Sequence, residues 1–266
     1  MKQYQTRSTL KNNAKNYLDG KWGSTVLLIL IMLAISLALS YLMSSITSAG
    51  MIAALVSSDY STTSSIMAIS TVILYVASFL VAILNGLFTM GCYLFYLNIV
   101  SGQRYSIGDL FFAFRGNFGK NLTVIVATTL PQIVLMLPYN VCSYFFQRTQ
   151  DFIWVFLMLI FLIVGLVIYV PIDLALSMSP MLLLDFPQYS AKEVLQHSIQ
   201  IMKGNKGRLF LLELSFIPIY LLCALSFAIG YLWAMPYMQM TYVLFYLDLM
   251  NPQVIETSPI YTSANA

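Results

Sequence analysis

The sequence predicts an all-α fold: a polytopic helical membrane protein with six transmembrane helices in three hairpin repeats, each preceded by a cytoplasmic amphipathic helix. Three observations predict it. Apolar residues make up 59% of the 266-residue chain and charged residues 9%, where a soluble domain carries about 25% charged residues. The apolar residues form continuous uncharged runs, not the alternation that a β-barrel needs, and helices satisfy their own backbone groups in lipid. Finally, a short amphipathic segment runs into a Gly-x-x-Gly pair and then into an apolar stretch three times over. The pairs are Gly20/Gly23, Gly116/Gly119 and Gly204/Gly207, the only glycines in the chain spaced by three.

The spans follow in order. Ser24–Ile46 is an uncharged 23-residue run, enough to cross a hydrocarbon core of roughly 30 Å. Ile66–Val100 is uncharged for 35 residues; it must tilt, kink near Asn85-Gly86, or protrude. Leu122–Phe146 contains Pro131 and Pro138, and Phe152–Leu184 is interrupted by Pro171, Asp173 and Pro180. Leu209–Met250 holds one span or two. Internal similarity favours two: Phe95-Tyr-Leu-Asn98 recurs as Phe245-Tyr-Leu-Asp248, and Leu182-Leu-Leu-Asp185 resembles both. A turn is then expected near Gly230–Pro236. The repeats run over 8–103, 104–188 and 189–253, with a tail at 254–266, all within one membrane domain. A five-span arrangement with the C-terminus outside is the alternative.

Positive charge sets the orientation. Lys2, Arg7, Lys11, Lys15 and Lys21 precede the first span. Arg104, Arg115 and Lys120 separate the second and third, and Lys192, Lys203, Lys206 and Arg208 the fourth and fifth. Only Arg148 falls on the other side. Both termini and both basic loops are therefore expected in the cytoplasm, with a Ser/Thr-rich loop around Ser57–Ser65 outside. The net charge of +3 is too small to argue for a nucleic-acid partner. Cys92, Cys142 and Cys223 are scattered through apolar runs and read as packing residues, neither a disulfide framework nor a metal site.

The connectors share a pattern. Ser190-Ala-Lys-Glu193 is a capping box. It is followed by Val194, Leu195, Ser198, Ile201 and Met202 on one helical face, with Lys192, Gln196, Gln200 and Lys203 on the other. Ser106-Ile-Gly-Asp109 is a similar start, and Leu10, Ala14, Tyr17 and Leu18 give the N-terminal copy its stripe. Such helices are expected along the inner membrane surface, where Lys11, Lys15, Lys192 and Lys203 are candidates for anionic lipid headgroups. The glycines are hinge candidates, letting the chain turn from the surface into the bilayer.

A charge within the hydrocarbon costs roughly 2.5–3.5 kcal/mol on insertion scales. Asp173 and Glu213 are therefore the candidate substrate or ion residues. The plainer alternative is an interfacial role, with Glu213 paired to Arg208 or Lys206 and Asp173 capping a kinked helix. Asn85, Gln132 and Asn140 read as interhelical hydrogen-bonding residues. Asp185 and Asp248, at equivalent helix ends, suggest structural pairing with the basic connectors. No catalytic motif, cofactor motif or metal-ligand cluster appears, and His197 is the only histidine. The chain reads as a non-enzyme without a cofactor.

Residues Ser179–Ile217 carry a Leu-x-Asp-x-Pro stretch (Asp185, Pro187), then Ser190, Ala191 and Glu193, Ser198, a Met202-x-Gly204-x-Lys206 run, and Leu209 through Phe216. With Pro236-Tyr237 and Phe245-Tyr246 later, the chain resembles a family of bacterial integral membrane proteins, mainly of Firmicutes, known as domain of unknown function 975. Tyr169-Val-Pro-Ile172 departs from it, since the family tends to have Ile-Pro-Gly there. The resemblance implies a multi-pass protein of the bacterial plasma membrane and no particular activity. Three expectations follow: a protein that handles or senses lipids or membrane-active peptides; a small permease or transporter subunit using Asp173 and Glu213; or a scaffold for a larger complex. Membrane lipids are the one partner expected in every case.

Overall fold

The computed structural model describes residues 4–56 and 60–250, and among these all regular structure is helical. The order is α1 (Arg7–Leu18), α2 (Trp22–Val56), α3 (Tyr60–Val100), a 3₁₀ helix η1 (Ile107–Phe114), α4 (Phe118–Thr149), α5 (Phe152–Leu176), α6 (Ser179–Asp185), α7 (Ala191–Met202), α8 (Lys206–Leu214), α9 (Ile217–Leu225) and α10 (Tyr231–Met250). Five segments are long and apolar enough to cross a membrane: Trp22–Gly50, Ile69–Val100, Phe118–Thr149, Phe152–Asp185 and Lys206–Leu225. The expected tail at 254–266 lies outside the described residues.

Helices α2 and α3 exceed the expected spans. At 1.5 Å per residue, the 41 residues of α3 reach about 60 Å, twice the hydrocarbon thickness. The hairpin therefore protrudes; α3 runs as one helix through Asn85 and Gly86. The Ser/Thr-rich loop expected at 57–65 is also corrected. Helix continues to Val56 and resumes at Tyr60, leaving only 57–59 outside the described residues. The physical reason is visible just before it. Ser45, Thr47 and Ser48 donate their hydroxyls to the carbonyls of Leu42, Met43 and Ser44, so polar residues stay helical without leaving donors unpaired.

Each connector ends in the same way. The first glycine of every pair takes positive φ: Gly20 at 69°, Gly116 at 68° and Gly204 at 85°. The residue before it is extended, with ψ of 133° at Asp19, 156° at Arg115 and 116° at Lys203. At Leu18–Lys21 and Met202–Asn205 this is a type II turn, closed by N–H to C=O bonds of 2.9 and 3.0 Å. Such a turn requires positive φ at its third residue, which glycine adopts without steric cost. A side chain added at the second glycine of each pair, Gly23, Gly119 or Gly207, would meet nothing.

The apolar stripes of α1 and α7 rest on other helices. Helix α1 buries Leu10, Ala14, Tyr17 and Leu18 and packs against α10. Helix α7 buries Val194, Ser198 and Met202 against α4, α5 and α6, and the Ser198 hydroxyl donates to the Ala175 carbonyl at 2.8 Å. The stripes seen in the sequence are real, but protein covers them. The middle connector is a 3₁₀ helix held tightly to α3. A side chain at Gly91 would collide with the backbone carbonyls of Asp109 and Leu110, and buried Asn121 donates to the Ala113 carbonyl at 2.9 Å.

Helix α10 is the most enclosed. Its mean composition is too polar for it to count among the five apolar segments, yet Tyr237, Met240, Val243, Leu244, Phe245, Tyr246 and Asp248 are all buried. The reversal before it falls at 226–230, ahead of the expected Gly230–Pro236, and Pro236 lies inside α10. Two other helices are broken. The fourth apolar segment breaks at Ser177–Met178, where Pro180 starts α6, and the fifth at Ser215–Phe216, where Pro218 starts α9. Proline is favoured in a first helical turn, where its missing N–H costs nothing. Pro131, Pro138 and Pro171 sit within continuous helix.

Candidate functional site

Asp173 and Glu213, forty residues apart in sequence, line one cavity of about 350 Å³. Asp173 projects from the last turn of α5, just before the break that leads into α6, and accepts a hydrogen bond from the Tyr169 hydroxyl one turn earlier at 3.1 Å. Leu176, Ser177 and Met178 of that break form part of the wall. Glu213 arrives from α8. Lys206, at the start of α8, donates to the Pro171 carbonyl of α5 at 2.9 Å. Residue 213 is seven positions on, so it lies on the same helical face and is brought round to the α5 side.

Three more helices complete the walls. Gly86, Thr89 and Tyr93 lie along one face of α3, Ile125 and Thr128 face them from α4, and Tyr242 enters from α10. Gly86 permits the approach, because a Cβ there would press on the Ile125 side chain. The lining thus combines two carboxylates with the hydroxyls of Thr89, Tyr93, Thr128, Ser177 and Tyr242. Nothing in the spacing of those hydroxyls along the sequence marks them, and only the packing of α3, α4 and α10 gathers them.

The expected pairing of Glu213 with Arg208 or Lys206 is not made. Arg208 pairs instead with Asp248 at 2.7 Å, the only ion pair among the described residues. Lys206 is occupied at Pro171. Asp173 and Glu213 are therefore left without a basic partner. Among the described residues no group of three or more His, Cys, Asp or Glu side chains gathers to hold a metal. The two carboxylates and the hydroxyls, set among apolar side chains such as Ile125, Leu176, Met181 and Leu209, can accept hydrogen bonds from a cationic donor.

The other sequence candidates fall elsewhere. Lys11 donates to the Ser215 carbonyl at the end of α8 at 2.8 Å and lies 4.4 Å above the Phe216 ring. Burial, followed by repulsion from Arg7 and Lys15, lowers its pKa from the ordinary lysine value. Lys15 leans over Tyr237 at 5.8 Å. Lys192 and Lys203 remain exposed on the outer face of α7. Asn85 accepts a hydrogen bond from Ser36 between α3 and α2 at 3.1 Å, the interhelical role expected. Asp185 accepts from the Tyr246 hydroxyl at 2.6 Å, so its partner is α10 and not a basic connector. The three cysteines are buried and free.

A second, larger cavity of about 700 Å³ lies between α2, α3 and the turn into α10. Its walls are mainly apolar, with Leu30, Leu33, Leu232 and Met235 among them. The two cavities occupy adjacent faces of α3 and share Thr89.

Five membrane-spanning candidates, four of which join α10 in walling a chamber whose two carboxylates lack a basic partner, define a helical membrane protein with an acidic cavity. The chain belongs to the family described as Protein of unknown function (DUF975), whose family model matches residues 1–253. No curated protein and no solved structure matches it.

Proposed function

We propose that this protein is a non-enzymatic, permease-type carrier of the bacterial plasma membrane that binds an ammonium-bearing solute between Asp173 and Glu213. The observation that carries the reading is the convergence of these two acids, free of any basic partner, on one cavity beside the broken segments α5/α6 and α8/α9. Broken helices at a membrane cavity are how many secondary transporters build a site. The second reading, a protein that handles lipids or membrane-active peptides, is favoured by the apolar cavity next to it. A scaffold role has no observation of its own.

The same proposal takes α10 as a sixth span and the chain as three hairpin repeats, with both ends of the described chain on the cytoplasmic side. The Gln5 N–H donates to Asp248 near the end of α10 at 3.0 Å, so the two ends share one face. Five crossings would put them on opposite faces. The 20 residues of α10 span about 30 Å, one hydrocarbon thickness. The positive-φ glycine after an extended residue, repeated at Gly20, Gly116 and Gly204, supports the repeat.

The test is binding of butylammonium to the protein in lipid nanodiscs by calorimetry. Asp173→Asn and Glu213→Gln are each expected to weaken it roughly tenfold, about 1.4 kcal/mol. Equal affinity in the wild type and the double variant, or no saturable binding, would overturn the assignment.

A further inference from the structure

We infer that the ligand is an amphiphile with one hydrocarbon chain, its ammonium head held by Asp173 and Glu213 and its chain lying in the apolar cavity between α2, α3 and α10. The inference rests on the ammonium reading above and adds the class of molecule that carries the charge. Two observations lead to it. Thr89 of α3 lines both cavities, so an occupant of one and an occupant of the other lie on either side of the same side chain. The charged groups fall on one side only: both carboxylates line the first cavity, and the second, with Leu30, Leu33, Leu232 and Met235, has none.

The energetics fit a molecule drawn from the bilayer. A hydrocarbon chain gains little by leaving lipid for an apolar cavity, because lipid tails are as apolar as leucine. The head supplies the attraction and the tail determines which molecules can place a head there. A small hydrophilic amine meets the acids without using the larger cavity, and an amphiphile uses both.

The experiment uses a dodecylammonium probe with a diazirine at the chain end, crosslinked by light to the full-length protein in nanodiscs of zwitterionic lipid and mapped by mass spectrometry. Labels are expected on α2 and α10 near Leu33 and Met235, and should fall at least fivefold in the Asp173→Asn/Glu213→Gln variant. Leu33→Trp, which fills the apolar cavity away from the acids, should abolish that labelling and leave butylammonium binding within twofold. Met235→Trp serves as a second filling variant should the first fail to fold. Labels that depend on the acids but fall outside this cavity would overturn the placement of the tail and leave the acidic site standing. Labels in the cavity that ignore the acids would show an ordinary lipid chain and overturn the inference. Loss of butylammonium binding in the wild type would take the underlying reading with it.

Discussion

Asp248 is fully buried near the end of α10 and holds three parts of the chain at once. Its carboxylate accepts from the Arg208 guanidinium of α8 at 2.7 Å and from the Gln5 backbone at 3.0 Å. Arg208 in turn lies over the rings of Tyr4 and Phe245, 4.2 and 5.2 Å away. Removing one member of a buried pair leaves the other uncompensated, at a cost of about 3 kcal/mol. Asp248→Asn should therefore lower thermal stability in detergent by about that amount, and the double variant Asp248→Leu/Arg208→Met should recover part of it. A double variant no more stable than the single one would refute this role. Glu193 makes a pH-dependent contribution at the surface. The Ser190 backbone N–H, at 2.7 Å, and then its hydroxyl hold the Glu193 carboxyl below the ordinary value of 4.5. Its folded pKa is depressed, so the capping stabilisation is complete above that value and fades as the pH falls below it. Amide exchange at the start of α7 is expected to accelerate in that acid range and to show no such pH step in Glu193→Gln. Ser190→Ala should cost about 1 kcal/mol at neutral pH.

At the scale of elements, the Gly-x-x-Gly pairs divide their labour. The first glycine closes the turn in the left-handed region, where any other L-residue pays roughly 1–2 kcal/mol. The second sits at the start of the next helix with open space around its Cα. Gly20→Ala and Gly204→Ala should each lower stability by about 1 kcal/mol, and Gly23→Ala and Gly207→Ala should be neutral or stabilising, since alanine favours helix. Equal effects within a pair, measured by thermal unfolding, would contradict this division. The periodic stripes of α1 and α7 were readable in the sequence because helical spacing is local. What covers them was not. An apolar stripe packs equally well on lipid or on protein, and only the positions of α10 and of the α4–α6 group settle that here. Lys11 illustrates the same point: its spacing placed it opposite the stripe, whereas the fold sends its ammonium to the end of α8.

At the scale of the molecule, the shared face of Gln5 and Asp248 bears on topology. If α10 crosses the bilayer, single cysteines at Asn16 and Met250, in a background without the three native cysteines, should react with a membrane-impermeant thiol reagent from the same side. Labelling from opposite sides would leave five crossings. The broken segments also read unequally in the sequence. Pro180 and Pro218 start new helices, but Pro131, Pro138 and Pro171 do not, although all lie in apolar runs. A proline frees the carbonyl four residues before it, and in an apolar run the helix continues where neighbouring groups in the fold satisfy that carbonyl.

The sequence alone determined that this is a helical membrane protein, where its apolar segments lie, which glycines turn the chain and which two acids are costly to place in lipid. These follow from composition, charge and local spacing, which need no knowledge of neighbours. Tertiary structure alone decided that Asp173 and Glu213 share a cavity, that Arg208 belongs to Asp248, and that an apolar chamber adjoins the acidic one at Thr89. Those facts depend on which helix faces rest against one another, and between apolar faces that match many partners equally well, the packing of the whole chain makes the choice.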